Sequence, residues 1–283
     1  MSAIWNFFVS VFNWIFNVVD NKIEPVKIGE HCYMPLFPWD ATHGVMMTWD
    51  YLGWSDAKKK VCRDAIKAGA VSGETPAITF CLTPHNINGG LMENNMLAVG
   101  DDALSVLESR CQELVKAGIA VFPCLYVDDS VPRWWEIEKH IGIWIRISNQ
   151  IKKYITGVIL SIESNEMANN VGQLEGCINV MRNVFPEMEY YGTHLQFRSG
   201  GKYSWTGGNS TPKNANIILA EYSWNPHNGD TVGLDKFKNE YYAIQRANPT
   251  LNWISHEYNV NSESTVAKMQ RQFLRDQNAW GIG

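Results

Sequence analysis

From residue 28 onward the chain alternates short apolar runs with amphipathic stretches. The runs at 31–37, 77–82, 120–127, 157–162, 190–197, 217–222, 253–258 and 280–282 have the length and β-branched or aromatic content of buried strands. Between them apolar residues recur at helical spacing. Ser55 stands as a cap ahead of Val61, Cys62, Ala65 and Ile66, which share one face and stop near Gly69. Asp101 or Asp102 opens a second helix through Leu104, Leu107, Cys111, Leu114 and Val115, ending at Gly118. Pro132 occupies a first-turn position ahead of Trp134, Trp135, Ile137, Ile141, Trp144, Ile145 and Ile151. Further helices fit 171–184, 234–247 and 264–278. Strand and helix in alternation predict a parallel sheet of the α/β class, and eight strands is the number that closes a (β/α)8 TIM barrel.

Two stretches depart from this pattern. Residues 198–216 carry Gly200, Gly201, Gly207, Gly208 and Pro212 and no helical period, which predicts a substrate-facing loop in place of the fifth helix. Too few residues follow 282 for an eighth helix. At the other end, residues 1–19 contain no charge, and Ser2, Asn6, Ser10, Asn13, Asn17 and Asn21 form a narrow polar stripe on an otherwise apolar helix. Neither the basic start nor the small-residue cleavage site of a signal peptide is visible. The stripe fits a membrane-associated anchor, a helix docked on a partner or second copy, or a helix packed on the barrel itself. The division is therefore 1–27, a hydrophobic helix and a hinge containing Pro25, and 28–283, the barrel.

Composition narrows the chemistry. The 283 residues carry 24 Lys+Arg against 29 Asp+Glu, a formal net charge of −5, without a long basic run, so a nucleic-acid footprint is not expected. Twelve Trp, eleven Tyr and eleven Phe are enough to fill a core and still stack on sugar rings. The six cysteines, Cys32, Cys62, Cys81, Cys111, Cys124 and Cys177, lie inside apolar runs without metal-ligand spacing and read as buried thiols.

In such a barrel the chemistry sits where strands end. Those positions supply Trp39 and Asp40, His85 and Asn86, Asp128 and Asp129, then Glu163, Asn165 and Glu166, then His194 and Gln196, then Glu221, Tyr222 and Trp224, and finally His256, Glu257 and Asn259. Carboxylates and aromatics dominate. A His-x-His pair, a phosphate-binding Gly turn and the nucleophile-elbow, Walker and dinucleotide motifs are all missing from the sequence, so neither metal nor cofactor is expected. Asp128 and Asp129 read equally as a helix cap and as a substrate clamp. Glu163 and Glu221 read as supporting or ion-paired carboxylates, with Glu163 also a rival acid to Glu166.

The run Ile162-Glu163-Ser164-Asn165-Glu166 ending strand four, with Trp253-Ile254-Ser255-His256-Glu257-Tyr258 ending strand seven, resembles the clan A glycoside hydrolases over residues 29–283. In that superfamily an Asn-Glu pair ends strand four and a second Glu ends strand seven; Met167 stands where the family usually has Pro. The resemblance implies Glu166 as acid/base, Asn165 as the hydrogen-bonding partner of the sugar 2-hydroxyl and Glu257 as nucleophile. Retaining hydrolysis needs two carboxyl groups about 5 to 5.5 Å apart in unlike environments. Tyr222 or His194 would orient Glu257, Trp224, Trp39 or Trp280 would form the sugar platform, and His85 would line the site.

The expectation is a retaining glycosidase acting on a polysaccharide or cell-wall glycan, in an extracellular or membrane- or particle-associated setting. The alternative is a catalytically inactive barrel that binds glycan or serves in assembly, anchored by its N-terminal helix.

Overall fold

The computed structural model describes residues 23–83, 92–93, 96–97, 100–127, 137–168, 170–197, 211–222, 231–258 and 263–283. Eight parallel strands close into a barrel: β1 (His31–Tyr33), β2 (Glu74–Cys81), β3 (Ala120–Tyr126), β4 (Gly157–Ser161), β5 (Tyr190–Phe197), β6 (Ile217–Tyr222), β7 (Asn252–Glu257) and β8 (Gly281–Ile282). Each pairs with its sequence neighbours, and β8 returns to β1 with Cys32 opposite Gly281 and Tyr33 opposite Ile282. All eight coincide with the apolar runs. A parallel strand is covered on both faces, so it reads as a nearly continuous apolar segment.

The two faces of the strands feed two cores. Cys32, Ala77, Cys81, Phe122, Cys124, Ile159, Ile217, Leu219 and Ile254 fill the barrel interior. Ile78, Val121, Leu125, Val158, Leu160, Tyr191, Leu195, Ile218 and Trp253 turn outward and pack under the helices. All six cysteines are buried thiols. Burial pushes the Cys62 thiol up to about 12, so it stays protonated and unreactive. Gly192 in β5 has a packing reason: a Cβ there would run into the Ile217 carbonyl of β6.

The helices begin and end where local chemistry directs. Ser55 accepts from the Lys58 N–H at the start of α1 (Asp56–Gly69), Asn170 from Gln173 N–H at α4 (Val171–Val184), and Ser264 from Ala267 N–H at α6 (Thr265–Asp276). Asp101 and Asp102 lie in the first turn of α2 (Asp101–Lys116), where the helix dipole favours acid, and Gly118, at φ 76°, takes the left-handed turn beyond its end. α3 (Ile141–Ile151) buries Trp144, Ile147 and Ile151, and α5 (Thr231–Ala247) carries Phe237 into the outer core. Residues 211–216, after β5, form no helix. The remainder of the 198–216 loop, the proline-led start before α3 and the N-terminal apolar stretch lie outside the described residues. Among the described residues no helix is long and apolar enough to cross a membrane.

Candidate active site

Side-chain parity decides what reaches the mouth of the barrel. On β5, Tyr190 joins the interior core while Tyr191, Leu195 and Phe197 join the outer one, so His194 faces inward. On β6, Ile217 and Leu219 point inward, and Glu221 follows them. Strict alternation on β7 would point His256 in and Glu257 out. The pairing prevents this: Ala220 stands opposite Ser255, the next residue Glu221 stands opposite Glu257, and His256 is the extra residue of a bulge. A bulge re-aims the side chain that follows it, and here it turns Glu257 toward Glu221 and His194.

One nitrogen or oxygen from each of His194, Glu221 and Glu257 lies within 4.8 Å of the others. His194 Nε2 lies 3.8 Å from Glu257 Oε2. All three are buried, at 1%, 0% and 8% exposure, on three adjacent strands, Glu221 and Glu257 at the C-terminal ends and His194 three residues before the end of β5. The donor set has the composition of a divalent-cation site, and equally of a carboxylate held by an imidazole. Below them His256 packs edge-on against His194, ring centroids 5.6 Å apart. Burial holds the His256 imidazole down to about 3, so it is neutral at physiological pH. Trp49, on the turn Thr48–Gly53 that leads from β1 to α1, covers both rings, 5.5 Å from His194 and 6.1 Å from His256.

The strand-four turn is built differently from a simple strand end. After Ser161 the chain passes through Glu163 at φ 43° and ψ 40°, then makes one helical turn, Ser164–Met167. The Glu163 N–H donates to His194 Nδ1 at 3.1 Å. Asn165 is fully buried; its amide donates to the Gln196 carbonyl and accepts the Gln196 N–H, both at 2.9 Å, and so ties the turn to the end of β5. The Glu166 side chain lies outside the described residues, as do His85, Trp224, Asp128, Asp129 and Asn259.

The remaining expected site residues are scattered. Trp39 sits on a short hairpin, Trp39–Asp40 against Gly44–Val45, beyond β1 and is 39% exposed. Tyr222 does not reach Glu257. Its hydroxyl lies 3.2 Å from Ser255 Oγ and its ring meets Phe237 of α5 edge-on, because position 222 has the outward parity of β6. Trp280 lies at the opposite end of the barrel. It precedes β8 rather than ending it, and its ring packs on Tyr190, the first residue of β5. Trp49 was the aromatic that strand-end reading missed, although its place between β1 and α1 marks it as a mouth residue.

No family model matches this chain, and none of the curated proteins matches it either. Solved structures do. A β-mannanase from the blue mussel Mytilus edulis superposes with a TM-score of 0.57 over 91% of this chain and 90% of its own, at 10% identity. A GH5_18 protein from Bifidobacterium longum, in complex with Manβ1-4GlcNAc, gives 0.57 over 89% and 68% at 12% identity. A GH113 β-1,4-mannanase gives 0.53 over 91% and 87% at 10% identity. The chain has the barrel fold of these glycoside hydrolases. The likeness of fold spans about nine-tenths of the chain.

Proposed function

We propose that this barrel is a retaining glycoside hydrolase of a β-linked polysaccharide, with Glu257 as nucleophile and Glu166 as acid/base. The observation that carries the reading is the bulge in β7, which turns a buried carboxylate at the end of strand seven into the barrel mouth beside an imidazole. Since the similar solved structures include β-1,4-mannanases, β-1,4-mannan is the first polymer to test.

The two steps use only side chains. The Glu257 carboxylate attacks the anomeric carbon while the glycosidic C–O bond breaks and Glu166 gives its proton to the departing oxygen, leaving a glycosyl ester on Glu257. Glu166, now a carboxylate, removes a proton from water as the water oxygen attacks the same carbon. The ester bond breaks, and both residues return to their starting states. Trp39 would supply aromatic surface for sugar rings, and His85 and Trp224 would complete the cleft.

The test is hydrolysis of mannan-derived oligosaccharides followed by proton NMR of the first product. Retained anomeric configuration supports double displacement; inverted configuration excludes Glu257 as nucleophile. A second reading has its own observation. The Asn165 amide, matched by resemblance to the sugar 2-hydroxyl, is spent on the Gln196 main chain. That favours a barrel that holds glycan without turnover, in which case the purified protein binds oligosaccharide and releases no reducing sugar. Residues 1–22 would then tether it to a membrane or protein partner, and loss of that association on their deletion tests the tether.

A further inference from the structure

We propose that His194 is a positioning residue for Glu257 and that the Glu163 main-chain N–H fixes its tautomer; the kinetic part rests on the hydrolase reading above. A main-chain N–H can only donate. His194 Nδ1, 3.1 Å from Glu163 N, is therefore the acceptor and carries the lone pair. The ring proton is then on Nε2, the atom that faces Glu257 Oε2 at 3.8 Å. That gap is longer than a hydrogen bond, as unliganded catalytic contacts often are, and it closes when substrate fixes the carboxylate.

The geometry that aims the Glu163 N–H is itself built. Glu163 adopts a left-handed backbone at φ 43°, a conformation that costs a side-chain-bearing residue energy and persists only where neighbours impose it. The neighbours are on both sides. Ser164 Oγ donates to the Ser161 carbonyl at 3.2 Å and meets Thr193 Oγ1, and the Asn165 amide is doubly bonded to Gln196. Ser164, Thr193 and Asn165 are fully buried. One imidazole thus joins the strand-four turn, which leads to Glu166, to the strand-seven carboxylate.

The same proton placement decides against the cation reading of His194, Glu221 and Glu257. An imidazole that binds metal through Nε2 offers its lone pair there and its proton at Nδ1, usually to a carbonyl or carboxylate. In this chain Nδ1 is taken by a donor, so a cation on Nε2 would require breaking the Glu163 bond.

Nitrogen-15 NMR of histidine-labelled protein at pH 7 reads the tautomer without any substrate. The His194 signals, assigned by their loss in His194→Gln, are expected as an unprotonated Nδ1 and a protonated Nε2. Glu163→Gly keeps the N–H and takes a positive φ freely, so the tautomer persists. Glu163→Val resists that φ and loses it. In hydrolysis assays His194→Phe, checked for an unchanged circular dichroism spectrum, lowers kcat about 100-fold with KM within about threefold. His194→Gln, whose amide can donate from the Nε2 position, recovers about tenfold of that. A protonated Nδ1, a tautomer that shifts in Glu163→Gly, an unchanged kcat in His194→Phe, or Zn²⁺ that raises the melting temperature of the wild type but not of His194→Gln would each overturn the proposal. If the expected tautomer is found and no glycan is hydrolysed, the hydrolase reading fails and takes the kinetic role of His194 with it, while the Glu163–His194 hydrogen bond and the tautomer it sets stand.

Discussion

Glu257 occupies its place because one extra residue, His256, interrupts the pairing of β6 with β7. Replacing Glu257 by Gln should lower kcat at least about 1,000-fold while oligosaccharide binding, measured by calorimetry, stays within a few-fold. Glu166→Gln should impair substrates with poor leaving groups far more than activated aryl glycosides, since only the former need its proton; equal losses on both would point elsewhere for the acid. His256 makes a separate prediction about stability. Its folded-state pKa, near 3, lies below the unfolded value near 6.5, so between those limits the unfolded chain binds a proton that the folded chain refuses. Stability therefore rises with pH through that window, by up to about 1.4 kcal/mol per unit from this residue. Urea unfolding at pH 4.5 and 6.5 should show a smaller difference in His256→Leu than in the wild type. The carboxylates themselves were legible at strand ends, but the inward turn of Glu257 was not, because alternation along β7 points it the wrong way and only the pairing reveals the bulge.

At the level of elements, sequence signals were strongest where one group performs one task. Ser55, Asp101 and Gly118 announced the limits of α1 and α2 through a cap, a dipole and a left-handed turn. Ser264 caps α6 in the structure, and Ser264→Ala should cost about 1 kcal/mol by removing the bond to Ala267 N–H. For a chain of this size that is a fall of about 2 °C in melting temperature by calorimetry, and no change would mean water replaces the cap. Less legible were contributions that depend on strand parity or on which end of a strand a residue occupies. Tyr222 and Trp280 carry suitable chemistry, yet one faces the helix layer and the other lies at the far end of the barrel. The Glu163 turn was also hidden, since no glycine or asparagine marks its left-handed backbone.

Across the whole molecule, the first and last parts of the barrel hold each other. Besides the β1 and β8 pairing, Arg275 of α6 donates to both Glu74 carboxylate oxygens, at 2.9 and 3.1 Å, and to the Gly69 carbonyl at 3.1 Å. Glu74 opens β2 and its side chain is almost wholly buried, so Arg275→Ala leaves the carboxylate with only the Val71 N–H, at 2.9 Å, and should cost about 2 kcal/mol, discounted for the partial exposure of the arginine. Urea denaturation measures it; a loss under about 0.5 kcal/mol would show that solvent reaches Glu74.

The closure of β8 onto β1 also sets an order of events during synthesis. Cys32 waits for Gly281, so the ring cannot shut until the segment that carries Gly281 has left the ribosome. Until then the growing sheet presents two unpaired edges, one at β1 and one at its newest strand, and unpaired edges recruit other chains. Expression yield should therefore respond more to translation rate and chaperone supply than the stability of the finished barrel would suggest.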